Sequence, residues 1–249
     1  MDYYIFAAIL VLLVAYVMYR VFSLVSRAKH DKEYIDCYQS VFNQKDGSYE
    51  KVCAYVNNEK KADFLNKGLI LKLCSELDNN IDYKQTLDSI NLKDVFSSRG
   101  RFSKTQFTNN TDVFVCLFLA LAKARKLSKF DVLNSLCEKI NSIPELENYI
   151  EYQLTRAIYN SLCEKEDGGT KFMSSLLEGS YADYRYDRKL IGLYKRFAAS
   201  TLAYNGELLD DYYRNDLYSF AQTGLGANYL KSLDIYEKYT EEVSGEEIV

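Results

Sequence analysis

The chain has 249 residues and a formal charge of −4, from 31 Lys and Arg against 35 Asp and Glu. That balance writes no strong attraction for nucleic acid into the chain as a whole, and nucleic-acid binding is not expected. The length leaves room for a full hydrophobic core without covalent staples.

Cys37, Cys53, Cys74, Cys116, Cys137 and Cys163 are scattered through apolar, helix-like contexts such as FVCLFL, and none forms a CxxC pair. His30 is the single histidine. Structural zinc sites want closely spaced Cys and His, so no metal site is indicated. Reduced core thiols, and therefore a reducing compartment, are expected. One proline and no tryptophan suit long helices with few rigid turns.

Tyr3 to Tyr19 carries no charge over 17 residues. At helical rise it reaches about 26 Å, and about 34 Å when continued through Val25, enough to cross a bilayer. All its faces are apolar, whereas a core helix keeps a polar stripe. Only Met1-Asp2 precedes it, and no small-residue cleavage pattern follows, so a retained anchor is expected over 1–30. The span is assigned to Tyr3, Phe6, Leu10, Leu13, Tyr16 and Tyr19, with its tyrosines as interfacial anchors. Arg20, Arg27, Lys29 and Lys32 follow it and fix topology or meet lipid headgroups. Positive charge on that side places the C-terminal body in the cytoplasm and the short N-terminus outside, a single-pass topology. The sequon at Asn109 is then expected to stay unmodified.

From 31 to 243 the chain reads as an all-helical cytoplasmic domain, and 244–249 as an acidic tail. Tyr34, Ile35, Tyr38, Val41 and Phe42 share a helix face; Tyr49, Val52, Cys53 and Val56 form the next. ADFLNKGLILKLCSEL makes a longer helix, and Asp82 caps a short one carrying Leu87 and Ile90. Residues 97–111, SSRGRFSKTQFTNNT, read as a long hydroxyl-rich basic loop. Asp112 caps the apolar run VFVCLFLALA, too short to span a bilayer and read as the central buried helix. Ser128 opens the next helix. Ser142 and Pro144 open a long one that EDGG ends. The stretch 190–204 places Leu190, Tyr194, Phe197 and Tyr204 on one stripe, ended by Asn205-Gly206. No strand alternation is evident.

The fold class is therefore all-α: an N-terminal transmembrane helix followed by an irregular bundle or an α-solenoid. NSLCEK recurs at 134–139 and 160–165, an offset short for a helix-pair repeat. Leu225-Gly226-Ala227-Asn228-Tyr229 resembles the LGxxY opening of a tetratricopeptide repeat over five residues; the resemblance implies helical pairs and identifies no family.

Phosphate-loop, dinucleotide and zinc-protease motifs are missing. His30 beside the basic flank is poorly placed for a shielded pocket, and Asp210-Asp211 and Glu241-Glu242 diverge on a helix. No catalytic, cofactor-binding or metal residue is assigned. Candidate partner contacts are Arg99, Arg101, Phe102 and Lys104 in the basic loop, and Tyr181, Tyr184, Arg185 and Tyr186 in YADYRYDRK, since Tyr and Arg anchor interfaces. The terminal Glu247-Ile248-Val249 is a weaker candidate for carboxylate capture. The leading expectation is a scaffold or adaptor, held to lipid by its first helix, that docks an unidentified protein partner. The alternative is a tethered enzyme acting on a lipid or peptide in an inter-helical pocket. A self-associating brace, and with it a homo-oligomer, is the third reading.

Overall fold

Helix α7 (Asp112–Lys126) is enclosed on every side: Val113 through Ala124 are all buried. Its charges are confined to its ends. Asp112 opens the first turn, while Lys123, Arg125 and Lys126 close the last, each complementing the helix dipole. Each buried Leu, Val or Phe side chain contributes about 1.5–3 kcal/mol relative to exposure, so this helix organises the core.

The computed structural model describes residues 2–164 and 169–240, with side chains from residue 13 onward. Within them the protein is helical. α1 (Asp2–Phe42) leads to α2 (Ser48–Asn58), α3 (Ala62–Asp78), α4 (Lys84–Ser89) and α5 (Leu92–Phe96). A two-stranded hairpin, β1 (Ser97–Ser98) and β2 (Arg101–Phe102), precedes α6 (Lys104–Asn109) and α7. Then come α8 (Phe130–Asn141), a 3-10 turn at Pro144–Leu146, α9 (Ile150–Leu162), α10 (Thr170–Leu177) and α11 (Ile191–Tyr204). α12 (Asp211–Ala221), α13 (Gly224–Ser232) and a 3-10 turn at Tyr236–Tyr239 complete the series.

α7 packs on α3, α8, α9 and α13. α13 also reaches back to α1, although solenoid repeats touch only their neighbours. The two NSLCEK copies are not equivalent. The first lies inside α8 with Leu136 and Cys137 buried, while the second runs off the end of α9, where Cys163 is the C-cap. The stretch resembling a tetratricopeptide opening forms α13, and only the 3-10 turn follows it among the described residues. Neither feature builds a repeat.

α1, α3 and α7 run parallel, which gives the bundle two ends. At one end Arg27 meets Asp63 at 3.6 Å and Lys67 meets Asp112 at 2.9 Å. Further along, the Cys74 thiol lies 3.6 Å from the Cys116 carbonyl. At the other end Lys123 bonds to Asp78 and, at 2.7 Å, to Asn228 Oδ1.

α1 runs unbroken across the boundary expected at residue 30. Its contacts with the body begin near Ser26, and Tyr34, Cys37, Val41 and Phe42 are buried. Ile35, expected on that face, is 48% exposed. From Leu13 to Val25 every residue of the helix is exposed. The side chains of Tyr3, Phe6 and Leu10 lie outside the described residues, as does the tail 244–249. Among the described residues no helix is long and apolar enough to cross a membrane. Leu13–Val25 alone amounts to about 20 Å at helical rise, short of a hydrocarbon core of about 30 Å. The expected transmembrane span over Tyr3–Val25 is thus not carried by the described residues.

The segment 97–111 is ordered into secondary structure rather than a continuous loop. Arg99 and Gly100 both have positive φ, 53° and 74°, as a tight hairpin turn with primed geometry requires. Ser103 then caps α6 by accepting the Gln106 N–H at 3.3 Å. The long helix expected from Pro144 begins instead at Ile150, because Asn148 and Ile150 spend their backbone groups on Arg185.

Candidate functional site

The hairpin and the tyrosine-rich segment, far apart in sequence, meet through Tyr149. Phe107, buried in α6, lies 4.0 Å from the Tyr149 ring, and half-buried Phe102 lies 5.9 Å from it. Beside Tyr149 the Ile150 N–H donates to the Arg185 carbonyl at 2.9 Å, and the Arg185 N–H donates to the Asn148 carbonyl at 2.8 Å. A second tie runs through Asp187. It accepts from the Thr111 hydroxyl at 2.9 Å, and its own N–H donates to Glu151 Oε1 at 2.9 Å. The two sets of candidate contacts therefore form one face.

That face is basic. Arg99, Arg101, Lys104, Arg185, Arg188 and Lys189 are exposed, and none is ion-paired among the described residues. Beside the hairpin lies a cleft of about 490 Å³ bounded by Phe96, Ser97, Phe102, Ile143, Lys93 and Glu145. Its charges are mixed, with Lys93 against Asp94 and Glu145, and its lining is more polar than apolar. The tyrosines are less free than their sequence suggests. Tyr181 and Tyr186 meet edge to face at 5.3 Å, and Tyr184 meets Phe172 at 5.7 Å. All three are half-buried, so they offer ring edges rather than whole rings.

Comparison with protein-family models, curated proteins and solved structures finds no match to this chain.

Replacing Tyr149 by alanine should cost about 3 kcal/mol, the range for losing a buried aromatic ring. It should also speed amide exchange at 97–103 and 184–187 together, which mass-spectrometric hydrogen exchange reads directly. Exchange changing in one segment alone would show that Tyr149 does not couple them.

Glu151, 0% exposed, anchors the face from beneath. Burial pushes its carboxyl above the ordinary range, only partly offset by the Asp187 N–H. The Tyr194 phenol above it is raised by burial and then by Glu151. A carboxyl whose folded pKa is raised contributes stability below its unfolded pKa and loses it as pH rises through the folded value. Glu151→Gln should therefore flatten the decline in stability from mildly acidic to neutral pH, measured by denaturant titration at several pH values. A slope identical to wild type would contradict this placement.

Where α1 leaves the bundle, the predicted headgroup residues divide. Arg27 is half-buried, pairing with Asp63 at 3.6 Å and stacking over Phe64 at 5.3 Å. Lys29 lies 3.9 Å from Glu33. Arg20 and Lys32 are exposed without an ion pair among the described residues. Of the residues assigned to the span, Leu13 is 56%, Tyr16 63% and Tyr19 69% exposed.

No cluster of three or more His, Cys, Asp or Glu suited to a metal occurs among the described residues. The buried charges are spent on structure: Lys67 on Asp112 and the Tyr34 ring at 4.1 Å, Glu76 on Thr86 at 2.9 Å. Sequence reasoning missed Tyr149, Thr111 and Asp187, the residues that assemble the face. The Ser103-x-x-Gln106 pattern of a capping box was the one local signal that 97–111 is not a plain loop.

Proposed function

We propose that the protein is a membrane-anchored docking domain. The apolar N-terminal part of α1 lies in the bilayer as a single-pass anchor, the body is cytoplasmic, and an acidic protein segment binds the basic face. The observation that carries the anchor is the run Leu13–Val25, exposed on all sides, with large hydrophobics from Val17 at 49% to Phe22 at 75%. Soluble monomers rarely leave so much contiguous apolar surface bare. It continues N-terminally into uncharged sequence that brings the total to bilayer length. The flanking Arg20, Arg27, Lys29 and Lys32 support the cytoplasmic side for the body.

Docking is supported by the six unpaired cations around the hairpin and 185–189. They lie at the end of the bundle where α1 departs: Asp112 begins α7 beside Lys67, one to two turns along α3 from Asp63. A partner bound there is held close to the bilayer, and confinement raises its effective concentration. The Arg99→Glu, Arg101→Glu, Arg185→Glu triple variant tests this in native membranes by chemical cross-linking. Loss of wild-type cross-links, with membrane retention unchanged, is the expected result. Unchanged cross-links would remove the face from the account.

The enzyme reading is less well supported. Among the described residues the most buried carboxylate, Glu151, faces Asp187 and Tyr194 inside the core rather than a cleft.

A further inference from the structure

The corner between α2 and α3 is fixed to α1 just where the exposed apolar run ends. Glu59 accepts the backbone N–H groups of Lys60 and Lys61, both at 2.8 Å, and its other oxygen lies 2.6 Å from His30 Nδ1. The His30 ring stacks on Phe64 at 5.5 Å. The Lys61 ammonium donates to the Ser26 hydroxyl at 3.3 Å. Ser26 follows Val25 directly and lies about 9 Å along the helix from Arg20. The acids nearby are engaged: Asp31 and Asp63 with Arg27, Glu33 with Lys29, Glu59 with His30. Lys60 is exposed, and neither Lys60 nor Lys61 has an ion pair among the described residues.

We infer that the Lys60-Lys61 corner rests on anionic phospholipid headgroups of the leaflet that α1 enters, so that the body is seated against the bilayer rather than swinging from its anchor. The inference rests on the proposed anchor. Continuity with the apolar run selects lipid as the occupant: a headgroup layer of roughly 5–8 Å reaches from Arg20 toward the corner, and surface potential extends about a Debye length farther. The clamp by Glu59 and His30 makes the seat rigid. Sequence alone hid it, because Lys60 and Lys61 lie some thirty residues beyond the basic flank and only folding brings them beside it.

The test uses full-length protein in phosphatidylcholine bilayers containing one-fifth phosphatidylserine. Two quantities are read: retention after alkaline carbonate washing, and the preference of the protein boundary for spin-labelled phosphatidylserine over phosphatidylcholine. Lys60→Ala with Lys61→Ala should remain in the bilayer and lose at least about twofold of the preference, since each lysine near an anionic surface contributes measurably. The Lys60→Arg, Lys61→Arg variant should keep it. Thermal unfolding confirms that both variants fold. Retention with an unchanged preference overturns the seat alone and leaves an acidic protein segment as the corner's partner. Release of the wild type by carbonate overturns the anchor and the seat with it.

Discussion

Replacing Val14 and Val17 by aspartate should move the protein from the membrane pellet to the soluble fraction. Val14 is the midpoint of 3–25, and Val17 lies on the same flank one turn on. Both side chains are about half exposed, at 50% and 49%, and touch nothing in the body. An aspartate at the centre of a spanning helix costs about 3 kcal/mol on insertion scales. Two make about 6 kcal/mol, roughly four orders of magnitude in partition. The body's unfolding temperature should stay put, because no packed residue changes. Val14→Leu with Val17→Leu should remain membrane-bound. Retention of the double aspartate variant, measured by fractionation and carbonate washing, would mean that something other than this helix holds the protein.

The second large effect is inside the bundle. Lys67 is almost wholly buried, its side chain 3% exposed, and among the described residues its one ion-pair partner is Asp112 at 2.9 Å, itself 34% exposed. Removing the acid strands a buried ammonium, so Asp112→Ala should cost about 3 kcal/mol, the lower part of the range for breaking a buried pair. The Tyr34 ring, 4.1 Å from the Lys67 nitrogen, and the Phe64 ring at 5.4 Å keep it from being higher. For a body of this size that is about 6–12 °C in Tm. Lys67→Met should cost much less, about 1 kcal/mol, because Asp112 then turns to water and an apolar chain fills the same space. The double variant should resemble Lys67→Met alone. Thermal unfolding of the four proteins in the same detergent checks the asymmetry. Equal losses for the two single variants would contradict it.

Local pattern carried much of the fold and little of the site. Helical spacing placed α2 and α11, each with an apolar face that repeats at the helix period, and long apolar stretches placed the more fully buried α3 and α7. Val52, Ile70, Phe118 and Phe197 are fully buried as those patterns require. Cysteine context was telling for four of the six: Cys37, Cys74, Cys116 and Cys137 are buried, whereas Cys53 and Cys163 are only half-buried. The failures are non-local. The helix expected from Pro144 waits until Ile150 because Arg185 takes backbone hydrogen bonds there. The joining of the hairpin to segment 184–187 depends on Thr111 meeting Asp187 across 76 residues, which no window reveals. Composition misread 97–111, where hydroxyl-rich residues serve as a hairpin and a helix cap instead of a loop. The surroundings of the basic flank are set by non-local contacts too. Arg27 is drawn onto Phe64 and Asp63, while Lys60 and Lys61 arrive from the following helix pair.

The most direct measurement is protease treatment of inverted membrane vesicles, followed by mass analysis of what stays in the pellet. The account predicts that the body is digested while a fragment covering the apolar N-terminal part of α1, ending near Arg20 to Arg27, survives in the lipid. Complete digestion of that segment, or a body shielded until the vesicles are opened by detergent, would contradict it.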